Sequence, residues 1–340
     1  MVIDDNFYMS LAINEAWKYQ GLTYPNPPVG TVILDKNAKL ISINTHKKVK
    51  TSHAELNALI DAYIKITKDE KILNFKNPNE QHKYLLENHN NYFKDFIIYV
   101  TLEPCNHQGS TPPCSLLIEK LGFKRVIIAT FDPNKKATGS IKRFKKIGID
   151  IKVGVLEQEA KTLLLPFIKY QNGDNFIFFK IAKHQNGTYD GGLVSSFESR
   201  KYVHKLRDKI DLLVIGGESV RVDKPTLDAR MVNGKAPDVL IYSKRDDFDK
   251  SIPLFNIPNR KVFIESDFEK LQNYKFIMIE GGEKMLEATK GIVDWYLFFT
   301  SPNLKIGKTL QTNLNLQNLF SFTLIKDTIT WAKPILENIK

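Results

Sequence analysis

The sequence predicts an α/β protein built as two successive domains. A chain of 340 residues with 42% hydrophobic content is long enough for two ordinary cores. Short apolar runs rich in Val, Ile and Phe alternate with stretches of helical period over residues 1–147, and the pattern resumes over 174–340. Residues 148–173 read as the linker, made of a last strand, a short helix and a hinge, with the boundary near Asn172–Asp174. The opening MVIDDNFYMSLAINEAW is acidic where an export signal is basic, and no apolar run approaches about 18 residues. With only two cysteines as well, the chain is expected in the reducing cytoplasm, away from membranes. A net charge of +11 admits nucleic acid or a phosphorylated substrate. The lysines are scattered, however, which points to general surface charge.

The elements follow in order. Phe7, Leu11, Ala12, Ala16 and Tyr19 fall near a helical period over 6–20, and Gly21 ends the run. The prolines of YPNPPVG exclude a helix interior, leaving a substrate-contacting loop or a plain turn into a strand at 30–35. That strand pairs with 40–45 across KNA. Ser52 is the expected N-cap of a helix in HAELNALIDAYIKI, with Leu56, Leu59, Ile60 and Tyr63 on one face. Residues 65–95 read as an Asn/Lys-rich surface insertion with a short helix in KYLLENHNNYF. Its His82 and His89 are expected to be solvated and receive no role. FIIYVTLE is a strand that delivers Pro104-Cys105. Pro113 precedes a helix that starts at Cys114 and is capped by Gly122. RVIIATFDPN is a strand with Asp132 and Asn134 at its C-terminal end, where α/β sheets usually bind ligands. In the second half, NFIFFKIA, DLLVIGG, DVLIYS, KVFIES, KFIMIEGG and WYLFFTSP read as strands, with helices in SFESRKYVHKLRD and EKMLEATK. No G-x-G-x-x-G is present, so there is no dinucleotide fingerprint. Gly281-Gly282 between a strand and a helix suits either a phosphate or an ordinary turn.

The chemistry concentrates in THKKVKTSHAEL and VTLEPCNHQGSTPPC, which supply His53, Glu55, Cys105 and Cys114. One imidazole and two thiolates make a zinc site whose fourth position stays open for water, the arrangement of catalytic zinc. Glu55 follows His53 too closely to be an easy fourth ligand, yet is close enough to exchange protons with that water. A disulfide, two separate core thiols, or a closed structural zinc with His107 as fourth ligand are the plainer alternatives. Both cysteines of the chain lie in one Pro-rich loop beside an HAE, which favours the catalytic site.

These residues match the H-x-E…P-C signature of zinc nucleobase deaminases. The longer T-L-E-P-C-x-H-x-G-x-T-P-P-C resembles the bifunctional riboflavin-biosynthesis deaminase/reductase family, as do Asn26-Pro27, Val29-Gly30, His46 and Asp132-Pro133-Asn134 followed by Gly139. The resemblance implies a cytidine-deaminase-like three-layer α/β/α domain followed by a dihydrofolate-reductase-like α/β domain. It implies zinc on His53, Cys105 and Cys114, catalysis by Glu55, and substrate contacts from Asn26, His46, Asp132 and Asn134. The substrate it implies is 2,5-diamino-6-ribosylamino-4(3H)-pyrimidinone 5′-phosphate, a small phosphorylated pyrimidine. Reduction of the deaminated product by NADPH would follow in the second domain.

There the family's markers are found as Lys180 and Ala182, Leu206-Arg207, the series Ser219, Val220, Asp223, Pro225, Leu227 and Arg230, and Glu280-Gly281-Gly282. By that match Arg207, Leu227, Arg230 and Glu280 contact the ribosyl phosphate substrate, and Ala182, Ser219, Asp223, Ser243 and Gly282 contact NADPH. The chain departs from the family pattern at His184–Thr188 and over Gly191–Ser195, where a Trp and a Ser are missing. In the first domain Ser110 stands where the family has a basic residue, and Lys50 is the expected replacement for the phosphate charge. Two other readings stay open: a deaminase with a degenerate second domain, and a nucleoside or tRNA deaminase with a basic RNA-binding domain. The resemblance favours no nucleic-acid partner and suggests a homo-oligomer.

Overall fold

The computed structural model describes residues 3–109 and 111–335, and it divides into two compact units, one ending at Gln171 and the other beginning at Asn172. The first unit runs α1 (Asp5–Trp17), β1 (Gly30–Leu34), β2 (Leu40–Thr45), α2 (Ala54–Thr67), α3 (Pro78–Asn88), β3 (Ile97–Leu102), α4 (Cys114–Lys120), β4 (Arg125–Thr130), α5 (Ser140–Lys146), β5 (Asp150–Val153), α6 (Glu157–Leu163) and α7 (Leu165–Asn172). Its sheet has the order β2-β1-β3-β4-β5. β1 is antiparallel to both β2 and β3, and β3, β4 and β5 are parallel.

Side chains alternate along these strands, so each strand feeds two cores. Ile98, Val100, Val126 and Ile128 pack on one face against Leu56, Leu59 and Tyr63 of α2, Leu117 and Ile118 of α4 and Phe144 of α5. From the other face Tyr99 reaches Asp5 of α1 with a 2.8 Å hydrogen bond. α1 and α6 pack together, α1 against β1–β3 and α6 against β4. The result is a three-layer α/β/α unit. The close approach of α1 dictates one residue: a Cβ on Gly30 would sit 1.9 Å from the carbonyl oxygen of Ala12.

Several expectations are corrected here. Residues 148–171 are not a linker but part of the first unit. β5 pairs with β4, and Leu163, Leu164 and Phe167 are buried, because alternating and helix-spaced apolar residues give the segment two faces of its own to bury. Ser52 does not cap α2. His53 takes the N-cap position without a side-chain hydrogen bond, and the Ser52 hydroxyl turns to Gln81 instead. The helix expected in KYLLENHNNYF begins earlier, at Pro78 behind the capping side chain of Asn77, and it buries His82 with only 5% of its surface exposed.

The second unit runs β6 (Phe176–His184), α8 (Phe197–Arg207), β7 (Leu212–Gly216), α9 (Gly217–Asp223), β8 (Asp238–Tyr242), β9 (Val262–Glu265), β10 (Phe276–Glu280), α10 (Glu283–Thr289), β11 (Trp295–Ser301), β12 (Leu316–Leu324) and β13 (Asp327–Pro334). Its sheet has the order β12-β13-β11-β6-β10-β7-β8-β9, parallel from β11 to β9 with β13 and β12 added antiparallel. The β12–β13 hairpin escaped the sequence reading because β12 is half exposed and lacks a continuous apolar run. Phe176, Phe178, Phe276, Trp295 and Trp331 form an aromatic cluster, and Ile177, Phe179, Val214 and Ile279 belong to the other face's core. No helix among the described residues is long and apolar enough to cross a membrane.

Gly30→Ala is expected to cost the first unit about 2–3 kcal/mol, since the added methyl meets backbone and not a flexible side chain. Amide hydrogen exchange of β1 and β3 reads the loss, and unchanged protection would mean that α1 can withdraw from β1 at no cost.

Candidate active sites

In the first unit, three element ends deliver three soft donors to one point. His53 caps α2, Cys105 follows β3, and Cys114 opens α4. The His53 Nδ1 lies 3.6 Å from the Cys105 Sγ and 3.5 Å from the Cys114 Sγ. A tetrahedral zinc with bonds of about 2.3 Å to sulfur and about 2.0 Å to nitrogen separates nitrogen from sulfur by about 3.5 Å, so the donor set fits the ion. His53 Nε2 sits 3.3 Å from the Thr111 hydroxyl, the outer-sphere contact that leaves Nδ1 free as the ligand atom. The Cys114 N–H points at the Cys105 Sγ across 3.4 Å, and the Cys114 thiol donates to Cys105, pulling Cys105 down to about 4 while Cys114 rises. The same contacts lower one thiol and raise the other, so the two sulfurs are not equivalent.

Glu55 lies in the first turn of α2, 4% exposed, where burial first and the Cys105 charge second push its carboxyl up to about 7. Burial pushes His46 down to about 4, so its ring is neutral. Its Nδ1–H donates to the Ser52 carbonyl at 3.1 Å, and Nε2 accepts from the Asn26 amide at 3.4 Å. Burial raises Asp132 to about 6, and its carboxylate accepts from the Asn134 N–H at 2.8 Å.

Asn26, His46, His53, Glu55, Cys105, Asp132 and Asn134 all line one cleft of about 360 Å³, and Cys114 closes the donor set beneath it. The sequence reading missed four contributors. Glu103 is buried and holds the Gly139 N–H at 2.9 Å and the Ser140 hydroxyl at 3.1 Å, which fixes the loop after Asp132. Phe167, Tyr170 and Gln171 of α7 also line the cleft, and the apolar pattern of LPFIKYQN is the signal that could have found them. Lys50 is exposed and does not line the cleft, and Ser110 lies outside the described residues.

In the second unit, β6, α8 and β10 bring Lys180, Arg207 and Glu280 together. Arg207 holds Glu280 through Nη2 at 2.9 and 3.2 Å, and the Lys180 Nζ lies 3.6 Å from the same carboxylate. Burial would raise Glu280, but the Arg207 and Lys180 charges outweigh it and keep the group below its ordinary value. Burial lowers Lys180. The three line a cleft of about 820 Å³ together with Ala182, Ser219, Asp223, Leu227 and Gly282. Two expected contacts are not brought there. Arg230 is exposed and pairs with Asp228 at 3.1 Å, and Ser243 accepts from Arg221 at 3.1 Å and donates to the Arg245 carbonyl at 2.8 Å. Residues Gly191–Ser195 do line the cleft, with Leu193 72% exposed. Sequence reasoning also missed Arg200, His204 and Arg260. Arg200 and His204 face the cleft from α8, and Arg260 donates to the carbonyls of Thr226, Leu227 and Pro237 and so shapes the Leu227 loop.

Residues 2–130 match the family model described as the cytidine and deoxycytidylate deaminase zinc-binding region, and residues 182–328 match the RibD C-terminal domain. The riboflavin biosynthesis protein RibD of Actinobacillus pleuropneumoniae is 30% identical over 351 aligned residues, covering 90% of this chain and 85% of that protein. The protein of the same name from Aquifex aeolicus is 35% identical over 237 residues, 68% of this chain, and there the chain spans little more than half, 58%, of the relative. Among solved structures, the diaminohydroxyphosphoribosylaminopyrimidine deaminase/5-amino-6-(5-phosphoribosylamino)uracil reductase of Thermotoga maritima superposes with a TM-score of 0.64, at 23% identity, over 97% of this chain and 98% of that one. That likeness establishes the two-part fold.

Arg207→Met is expected to destabilise the second unit by about 3 kcal/mol at neutral pH, because it leaves the Glu280 carboxylate buried with only Lys180 beside it. A carboxylate with a lowered folded pKa contributes fully above its unfolded value and loses that contribution as the pH falls through the folded one. The gap between wild type and variant should therefore narrow in acid. Urea unfolding read by Trp295 and Trp331, in a Trp17→Phe background, measures it, and a gap independent of pH would contradict the ion pair.

Proposed function

The chain belongs to the RibD family of riboflavin biosynthesis proteins, and from that premise we propose that it catalyses two consecutive steps, one in each unit. The first unit hydrolytically removes an amino group of 2,5-diamino-6-ribosylamino-4(3H)-pyrimidinone 5′-phosphate as ammonia. The second reduces the product, 5-amino-6-(5-phosphoribosylamino)uracil, to its ribitylamino form with NADPH. The observation that carries the reading is the meeting of His53 Nδ1 with two cysteine sulfurs at 3.6 and 3.5 Å beside a buried carboxylate.

His53, Cys105 and Cys114 would hold zinc, which would supply the Lewis acidity by which water becomes a nucleophile near neutral pH. Glu55 takes the proton that water gives up as it attacks the amino-bearing ring carbon, and returns a proton to the departing amine. Its placement in a dry first turn keeps its proton affinity close to that of its working surroundings. His46, neutral and oriented by the Ser52 carbonyl, and the Asn26 amide that meets it supply the polar edge against which the pyrimidine lies. Asp132 and Asn134, tied to each other at the loop after β4, face the same space.

In the second unit the cleft of about 820 Å³ falls within the usual range for a small-molecule site. Ala182, Ser219, Asp223 and Gly282 are the residues there that would hold NADPH, which supplies the hydride. Arg207, Leu227 and Glu280 face the ribosyl phosphate, and Lys180, already paired with Glu280, supplies a cation beside the sugar. Arg230 joins the phosphate only by leaving Asp228, and Ser243 reaches the cofactor only by a rearrangement at the end of β8. The proposal includes a cytoplasmic setting, a small-molecule substrate with no nucleic-acid partner, and a homo-oligomer.

Incubating the zinc-loaded chain with the diaminopyrimidinone phosphate and NADPH is expected to give a product mass with NH exchanged for O and two hydrogens added. The exchange alone would mean a deaminase with a silent second unit, as the missing Trp and Ser around 191–195 would explain. Glu55→Gln should reduce ammonia release by about 10²–10⁴-fold with zinc still bound. Cys105→Ala or Cys114→Ala should lose the metal, and full zinc content in either would contradict the ligand set.

A further inference from the structure

Two chain segments carry the donors of the first unit, and the one that leads into His53 is tied to α3. Ser52, immediately before His53, donates its hydroxyl to the Gln81 Oε1 at 2.7 Å. The other end of that amide is committed, since the Gln81 Nε2 donates to the Phe75 carbonyl at 2.9 Å, so the oxygen is the end that faces Ser52. The Ser52 carbonyl in turn accepts from the His46 Nδ1 and the Asn57 side chain, both at 3.1 Å. Ser52 is therefore a junction that joins Gln81, His46 and the first turn of α2 directly beside His53.

α3 is itself well fixed. Leu85 is fully buried in the same core as Ile72 and Phe93, and Asp69 accepts from Tyr63 of α2 at 2.9 Å and from Tyr84 of α3 at 2.6 Å. The helix packs against both α2 and α4, the two helices whose first residues or caps are metal donors. We propose that α3 is a brace for the zinc donors, in which Gln81 is a positioning residue that holds the segment leading into His53. The proposal rests on the reading of His53, Cys105 and Cys114 as a zinc site. Outer partners of this kind set donor orientation, and their removal commonly costs about 10–100-fold in metal affinity.

The test uses the full chain and two variants: Gln81→Leu, which keeps the volume and removes the acceptor, and Ser52→Ala, which breaks the same hydrogen bond from the other side. Zinc affinity is measured by competition with a chelator, the donor geometry by the absorption of the cobalt-substituted chain, and the fold by the melting temperature of the zinc-free chain. Each variant is expected to bind zinc about tenfold more weakly, or worse, with shifted cobalt–thiolate bands. The zinc-free Ser52→Ala chain should melt close to wild type. Combining Ser52→Ala with Gln81→Leu should weaken zinc no further than either alone. Wild-type zinc affinity and cobalt spectra in both variants would overturn the proposal, even with lowered melting temperatures, because α3 would then only fill space. If Gln81→Leu does not fold, Ser52→Ala decides the point. A wild-type chain that binds neither zinc nor cobalt would instead sink the zinc reading, and the brace with it.

Discussion

The first unit depends on one geometric demand: an imidazole nitrogen and two sulfurs must meet within about 4 Å of one another at the floor of a cleft. No single element can present all three. A strand end, a helix cap and a helix start are used, and each has to be aimed by the layer behind it. The parallel register of β3 with β4 sets where Cys105 emerges, and the packing of α1 onto β1 through Gly30 sets how tightly the sheet can close behind the site. Two thiol groups this close would otherwise favour a neutral pair. A backbone N–H and a neighbouring thiol aimed at Cys105 lower its proton affinity instead.

The second unit shows the opposite use of burial. Its central carboxylate is paired twice, by Arg207 and Lys180, and is held ionised in spite of the cost of desolvation. Around that pair, polar atoms are left over. Among the described residues, the Nε atoms of Arg200 and Arg207 and the Nδ1 of His204 are buried without a hydrogen-bond partner, all on α8. An unsatisfied buried polar group costs about 1–3 kcal/mol, so the α8 side of the cleft favours water or a polar ligand over an apolar one.

What the sequence made legible follows from the range over which each signal acts. His53, Glu55, Cys105 and Cys114 were readable because metal chemistry restricts both residue type and local spacing, and the strands beside them because burial of two faces leaves unbroken apolar runs. Arg230 and Ser243 were placed by register with a family pattern, which specifies a backbone position and not the rotamer. Asp228 captures the one, and Arg221 with the Arg245 carbonyl captures the other. Residues 148–171 looked like a linker because two short helices and a four-residue strand carry little signal separately; their burial is decided by contacts such as Leu102 with Leu164 and Phe167, far apart in the chain.

His82 is the sharpest case of this limit. In sequence it sits among Asn, Lys and Gln, where solvation is the ordinary expectation, and nothing local distinguishes it from His89. What buries it is the packing of α3 against α2 and α4, anchored by Leu85 and by the two tyrosines that share Asp69. The same helix draws the Ser52 hydroxyl away from the capping role that its position predicts. A helix start gives up a cap worth about 1 kcal/mol only where the lost hydrogen bond is replaced. Here the replacement runs to α3, so the cost of an uncapped α2 and the fixing of the His53 backbone are two consequences of a single contact.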